Sequence, residues 1–178
     1  HILLDNRVSS EGMNIFVRKY DSSGSEFWTI QFGSDPYDEV GSLALDSSGN
    51  VYVVGSKFVR TDGHGPDYKI GFLSKYNSDK LELWTRVFEF PDSSHAKSVV
   101  VNSSGEIYIA GQNIKLDSYP FGNIDALLSK YSSAGNEIWT RKFGAPTAKN
   151  SINSVTVDSS GNIYVAGLTY SDTFLKKY

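Results

Sequence analysis

Cysteine is absent from the 178-residue chain. That removes disulfides, thiolate metal ligands and cysteine nucleophiles, and leaves the redox compartment open. Histidine is scarce, with three residues of which one is His1. No serine–histidine–aspartate triad can be assembled from so few. Proline is also rare, 5 residues against 16 glycines, a balance that fits many tight turns rather than a disordered tract. No apolar run approaches the roughly 18 residues of a membrane-spanning helix. The net charge is −3 and the basic residues are dispersed, so neither nucleic acid nor an anionic membrane is an expected partner. There is no Gly-x-Gly-x-x-Gly leading into a helix and no phosphate loop. Nor does any stretch sustain a helical period. The first residue is His1, not Met, and no signal-peptide pattern follows, so a processed or excised chain is expected.

What the chain has instead is repetition. Asp46-Ser47-Ser48-Gly49-Asn50-Val51-Tyr52-Val53-Val54-Gly55 returns as Asn102-Ser103-Ser104-Gly105-Glu106-Ile107-Tyr108-Ile109-Ala110-Gly111. It returns again as Asp158-Ser159-Ser160-Gly161-Asn162-Ile163-Tyr164-Val165-Ala166-Gly167. The closing glycines, Gly55, Gly111 and Gly167, stand 56 residues apart each time. A fixed long period marks a repeat architecture.

Each period carries four short segments rich in β-branched and aromatic residues and bounded by turn formers, the pattern of strands. The first is Phe16-Val17-Arg18-Lys19-Tyr20, repeated at 72–76, 127–131 and 174–178. The second carries Trp28-Thr29, Trp84-Thr85 and Trp139-Thr140. The third runs to Leu45, Val101 and Val157, and the fourth is the Val51–Val54 type. First joins second, and third joins fourth, through Asp/Ser/Gly tracts in which an Asx-turn and a positive-φ glycine predict tight hairpins. Asn77-Ser78-Asp79-Lys80 stands at one such turn without its glycine. The other connections, 33–39, 89–95 and 144–151, then 56–69, 112–125 and 168–173, differ from one another.

Tandem four-stranded antiparallel units with aromatic bulk to bury (13% aromatics) predict an all-β chain of β-propeller blades. The expected organisation is a single propeller over 1–178. Its blade units run over 14–69, 70–125 and 126–173, with 1–8 a leftover outer strand and 174–178 the first strand of a next blade. Three blades are too few to close a ring, since propellers typically use about four to eight. The expectation is therefore a fragment of a longer propeller, or a ring completed by other chains.

The run of Lys-Tyr, Trp-Thr-Arg-Lys-Phe-Gly and Asp-Ser-Ser-Gly-Asn-Ile-Tyr-Val-Ala-Gly, clearest in residues 130–167, resembles the bacterial family named for its seven-bladed β-propeller repeat, the SBBP repeat. The second copy departs from that pattern at Glu89-Phe90 and at Asn102. The resemblance implies blades and a bacterial cell-surface or secreted setting. It brings no catalytic residues.

Several residues invite chemistry. Lys19, Lys75, Lys130 and Lys177 would line a channel if first strands were innermost; the alternative, which buried charge favours, is that each pairs with a nearby carboxylate, such as the turn Asp. Trp28, Trp84 and Trp139 share one register, which favours a core between blades over a stacking surface. Asp46 and Asn50 offer oxygens to Ca²⁺, yet the loop lacks an EF-hand's alternating carboxylates, and an Asx-turn accounts for it. His64, between Asp62 and Asp67 in a Gly- and Pro-containing loop, and His95, near Asp92, have no second histidine beside them. Neither metal, cofactor nor catalytic group is expected.

The alternation of connections carries the functional expectation. Tight, near-identical turns emerge at one end of the strands and variable loops at the other, as where a rigid scaffold presents a binding face. Asp35, Tyr37, Asp38, Asp62, His64, Asp67, Tyr68, Asp117, Tyr119 and Phe121 are the candidates there. Tyr and Asp among Gly and Pro suit a protein or glycan ligand. The competing readings are a lyase or hydrolase with an axial pocket, and a spacer module.

Overall fold

The computed structural model describes residues 15–33, 35–64, 67–88, 93–115, 123–143, 149–169 and 172–177. Among them there are thirteen strands and no helix. In order these are β1 (Ile15–Tyr20), β2 (Glu26–Phe32), β3 (Glu39–Leu45), β4 (Val51–Val59), β5 (Tyr68–Tyr76), β6 (Glu82–Phe88) and β7 (Ser93–Val101). There follow β8 (Ile107–Ile114), β9 (Ile124–Tyr131), β10 (Glu137–Phe143), β11 (Ser151–Val157), β12 (Ile163–Thr169) and β13 (Asp172–Lys177). The chain divides into two compact units, His1–Glu39 and Val40–Tyr178. The first holds the β1–β2 hairpin, in which Ile15 faces Phe32 and Lys19 faces Trp28.

The second unit contains the blades. Its sheets run β3-β4-β5-β6, β7-β8-β9-β10 and β11-β12-β13, each neighbour antiparallel in sequence order. The four-stranded antiparallel blade is as expected from the sequence, but its phase is not. The sheets group third, fourth, first and second strands, so the units 14–69, 70–125 and 126–173 each cut a sheet in half. Segment 174–178 likewise starts no new blade; β13 pairs with β12, Tyr164 opposite Lys177 through Thr169 opposite Asp172. Segment 1–8 lies outside the described residues. The physical reason is the fourth-to-first connection, which is a hairpin. The ladder between β4 and β5 continues from Val51–Tyr76 to Val59–Tyr68, so both ends of the span 56–69 are paired strand and the loop proper is 60–67. In the next sheet the ladder between β8 and β9 reaches Ile114–Ile124.

Neighbouring sheets bury their faces on each other, which is what makes a blade stable. One cluster joins Tyr52, Val54, Leu73 and Phe88 of the first sheet to Val99, Ile107, Ile109 and Tyr131 of the second, with Trp84 packed at its side. The equivalent cluster joins Tyr108, Ala110, Ala126 and Leu128 to Ile152, Val155, Ile163 and Val165, flanked by Trp139. Fully burying a side chain such as Leu73 or Ile107 stabilises by roughly 1.5–3 kcal/mol.

The strands whose edges meet are β3, β7 and β11. The Gly41 backbone lies against Ala96 and Lys97, Ser98 Oγ accepts the Val155 N–H at 3.1 Å, and Lys97 Nζ donates to Ser151 Oγ at 2.7 Å. Third strands are therefore innermost, not first strands. The register of β7 on β8 shifts between Ala96 and Ser98, and that of β11 on β12 between Ile152 and Ser154. A Cβ on Gly111 would collide with the His95 carbonyl, and one on Gly167 with the Ser151 carbonyl, so the repeat's closing glycine is fixed by its partner strand.

Candidate binding face

At one end of each sheet the connections are tight turns built alike. Asp46 Oδ1 accepts the N–H groups of Ser48 and Asn50, both at 2.9 Å, and Gly49 takes φ +77°. The second oxygen accepts Asn50 Nδ2 at 2.7 Å and the Tyr52 hydroxyl at 3.1 Å, with Lys75 Nζ 3.6 Å away. Burial alone would raise the Asp46 pKa, but these bonds outweigh it and hold the carboxyl below its ordinary range. Asp158 repeats the set with Ser160, Asn162 and Tyr164. The Asn162 side chain above all draws its pKa down to about 2. With its oxygens so engaged, the tract works as an Asx-turn, and its hydrogen bonds account for it without Ca²⁺.

The middle copy reverses the pair. Asn102 Oδ1 accepts the Ser104 and Glu106 N–H groups, while Glu106 supplies the carboxylate. Glu106 accepts Asn102 Nδ2 at 2.9 Å, the Tyr108 hydroxyl at 3.1 Å and Lys130 Nζ at 2.7 Å. Lys130 first, then Asn102, lowers the Glu106 pKa, and Glu106 raises that of Lys130. Lys75 and Lys130 are thus braces paired to turn carboxylates, as the pairing reading expects. Lys19 lies over the Phe27 ring at 5.4 Å, and nothing is described of the Lys177 side chain.

The opposite ends carry the connections that differ. In loop 60–67 Asp67 Oδ1 accepts the Thr61 N–H at 3.0 Å, and the His64 N–H donates to the Thr61 carbonyl at 2.9 Å. Asp62 (φ +50°) and Gly63 (φ +84°) make the reversal. Asp62, His64 and Asp67 are exposed, whereas Tyr68 is the first residue of β5, half-buried and paired with Val59. In the first unit Asp35 Oδ1 accepts the Tyr37 N–H at 3.0 Å, the Asp38 N–H donates to the Asp35 carbonyl, and Asp38 is buried while Tyr37 is 57% exposed. Asp67 and Asp35 therefore shape their loops, and Tyr37, Asp62 and His64 present side chains to solvent. Asp117, Tyr119 and Phe121 lie outside the described residues, as do Glu89 and Phe90. His95 belongs to β7, its Nε2 3.5 Å from Ser93 Oγ. Among the described residues no three His, Cys, Asp or Glu side chains gather as a metal ion's ligands would.

The tryptophans of the second unit are structural. Trp84 meets Tyr52 edge-on at 6.1 Å and Trp139 meets Tyr108 at 6.5 Å. Sequence reasoning missed Arg86 beside them. Its guanidinium lies 5.2 Å over Trp84 while Nε and Nη2 donate to the carbonyls of Gly135 and Ala134, holding the next blade's turn. The Trp-Thr-Arg spacing, present at 84–86 and 139–141, was the available signal. Ser98 was also missed, though serine recurs at the same register as Ser42 and Ser154.

The family model for the beta-propeller repeat, SBBP, matches residues 28–56 and 138–174. The chain is 32% identical over 116 residues to the regulatory protein FlaEY of Caulobacter vibrioides, an alignment covering 61% of this chain. It is 26% identical over 169 residues to an uncharacterized WD repeat-containing protein, L264, of Acanthamoeba polyphaga mimivirus, covering 77% of this chain. In each case it spans 12% of the relative's length. Both family matches enter through a tryptophan-bearing second strand, cross into the next sheet and run through its Asp-Ser-Ser-Gly-Asn turn, so that these two segments match the SBBP beta-propeller repeat.

Proposed function

We propose that this chain is a non-enzymatic binding scaffold of a bacterial surface or secreted protein, and that it recognises protein or glycan through the face bearing its variable connections. One contrast carries the reading. At one end of the sheets the polar side chains are spent on the turns themselves: Asp46, Asn102 and Asp158 each hold two backbone N–H groups of their own turn. At the other end loop 60–67 projects Asp62 and His64 into solvent from a hairpin of two nine-residue strands. A rigid frame with diverse polar and aromatic loops at one end suits recognition. A lyase or hydrolase would need acid–base groups converging from several blades, and the repeated titratable groups are instead paired within their turns.

The test uses the chain and two variants, one with residues 61–67 replaced by a Gly/Ser segment and one with the tight turn 47–49 exchanged. Each is applied to arrays of bacterial polysaccharides and of extracellular protein domains. Binding by the parent chain that the first variant loses and the second keeps supports the proposal. Binding unchanged in both favours the spacer reading, and turnover of an arrayed glycan would favour the enzyme.

A further inference from the structure

Between β6 of one sheet and the β9–β10 hairpin of the next lies an open groove of about 330 Å³, and both of its walls belong to the second unit. Its floor is apolar. The Phe88 and Tyr131 rings, both buried, meet there at 5.6 Å, with Val87 beside them. One wall is Arg86. Its Nε, Nη1 and Nη2 donate to the carbonyls of Gly135, Thr85 and Ala134, which fixes the guanidinium and uses three of its five N–H groups. The other wall is Asn136 and Glu137, both exposed. Glu137 is set apart from its equivalents in the other second strands. Glu26 accepts the Thr29 hydroxyl at 2.6 Å, and Glu82 accepts that of Thr85 at 2.9 Å. Thr140, at the same spacing, bonds to Ser129 Oγ at 2.7 Å and not to Glu137. Among the described residues Glu137 Oε2 accepts the Tyr131 hydroxyl at 3.2 Å, Oε1 has no partner, and no carboxylate pairs with Arg86.

We infer that this groove is a saccharide site, independent of loop 60–67. Its chemistry selects a neutral, hydroxyl-rich ligand. A cation drawn to Glu137 would meet the Arg86 guanidinium, and an anion drawn to Arg86 would meet the Glu137 carboxylate. A sugar hydroxyl suits both walls, because it donates to Glu137 Oε1 and accepts from Arg86 or from the Asn136 amide. The C–H face of the sugar ring then lies over the apolar floor at Phe88 and Val87. The volume stands at the lower end of the range for small-ligand clefts.

Saturation-transfer NMR of the whole chain tests this, with glucose, galactose, mannose and N-acetylglucosamine offered as free sugars and as disaccharides. The expected result is millimolar or tighter binding of at least one of them. Glu137→Gln keeps the side chain's size and an acceptor for the Tyr131 hydroxyl, and should weaken that binding at least about fivefold. Asn136→Ala should weaken it as well, and carries the test if circular dichroism shows the first variant disturbed. Glu82→Gln and a Gly/Ser replacement of 61–67 should leave it unchanged. Binding of none of the sugars overturns the inference. So does binding that Glu137→Gln and Asn136→Ala retain in full, or that the replacement of 61–67 abolishes. Lysine amide or acetate held as tightly as the sugars also overturns it, since the groove would then be a site for ions.

Discussion

Replacing Lys80 with glycine should stabilise the protein. At the fourth position of the tight turns Gly24, Gly49, Gly105, Gly135 and Gly161 take φ between +77° and +86°, and Lys80 takes φ +71° at the corresponding place. Its turn is otherwise the same. The Lys80 N–H donates to the Asn77 carbonyl at 3.2 Å, and Asn77 Oδ1 accepts the N–H groups of Asp79 and Leu81 at 3.0 and 2.8 Å. A residue with a Cβ forced left-handed costs roughly 1–2 kcal/mol. Glycine returns about 0.5–1 kcal/mol of that through its freer unfolded chain. The Lys80 side chain is exposed, so little packing is lost. The net gain is about 0.5–1 kcal/mol, which for a chain of this length raises Tm by roughly 2–4 °C per kcal/mol. Urea and thermal unfolding of the parent, Lys80→Gly and Lys80→Ala measure it. The alanine variant removes charge but keeps the strain, and should match the parent, while Gly161→Ala should lose stability by a similar increment. Lys80→Gly at or below parental stability would refute the reasoning, because the turn would then cost nothing that a glycine relieves.

Two further outcomes follow from the turn carboxylates. The Asp158 carboxyl is depressed to about 2 in the folded chain from an ordinary 3.8, so its contribution is complete above the unfolded value and is lost as pH falls through the folded one. Asp158→Asn should therefore flatten the fall in stability between pH 4 and pH 2, as acid titration of tryptophan fluorescence would show; an unchanged slope would contradict it. In the middle turn Asn102→Asp alone crowds two carboxylates, and Glu106→Asn alone leaves Lys130 without its partner at 2.7 Å. The double variant restores the arrangement of Asp46 and Asn50, so a double-mutant cycle by urea unfolding should give a favourable coupling of about 0.5–1 kcal/mol, and purely additive effects would count against it.

The blade was legible because its causes are local. Alternating β-branched and aromatic residues, Asx-turns at Asp46 and Asp158 and a shared Trp register each act within one or two strands, and each appears as expected. The sheet boundaries were not legible, because a tandem repeat reads alike from any starting strand. What separates the phases is which connection stays a hairpin. That depends on the pairing of 56–59 with 68–71, where Lys57, Lys69 and Gly71 show no clear alternation. The candidate face was legible only as an alternation of connections. Asp35 and Asp67 looked available for a ligand, yet their carboxylates hold the N–H groups of Tyr37 and Thr61, a use that the residue type alone does not distinguish from binding.

The exchange at residues 102 and 106 shows what the repeat preserves. Read residue by residue, the middle copy has lost its turn aspartate, and the loss looks like decay. Read as an assembly, nothing is missing. An amide or carboxylate oxygen at the first position still caps two N–H groups, and one carboxylate still stands between a tyrosine hydroxyl and a lysine, having moved four residues along the chain. The Lys130 ammonium and Tyr108 hydroxyl approach the same volume from β9 and β8 whichever residue supplies the charge. What each blade holds constant is therefore one negative charge at the point where the hairpin, the fourth strand and the following first strand meet. Substitutions that keep that charge in place should be tolerated, and those that remove it without replacement should loosen the sheet from that end.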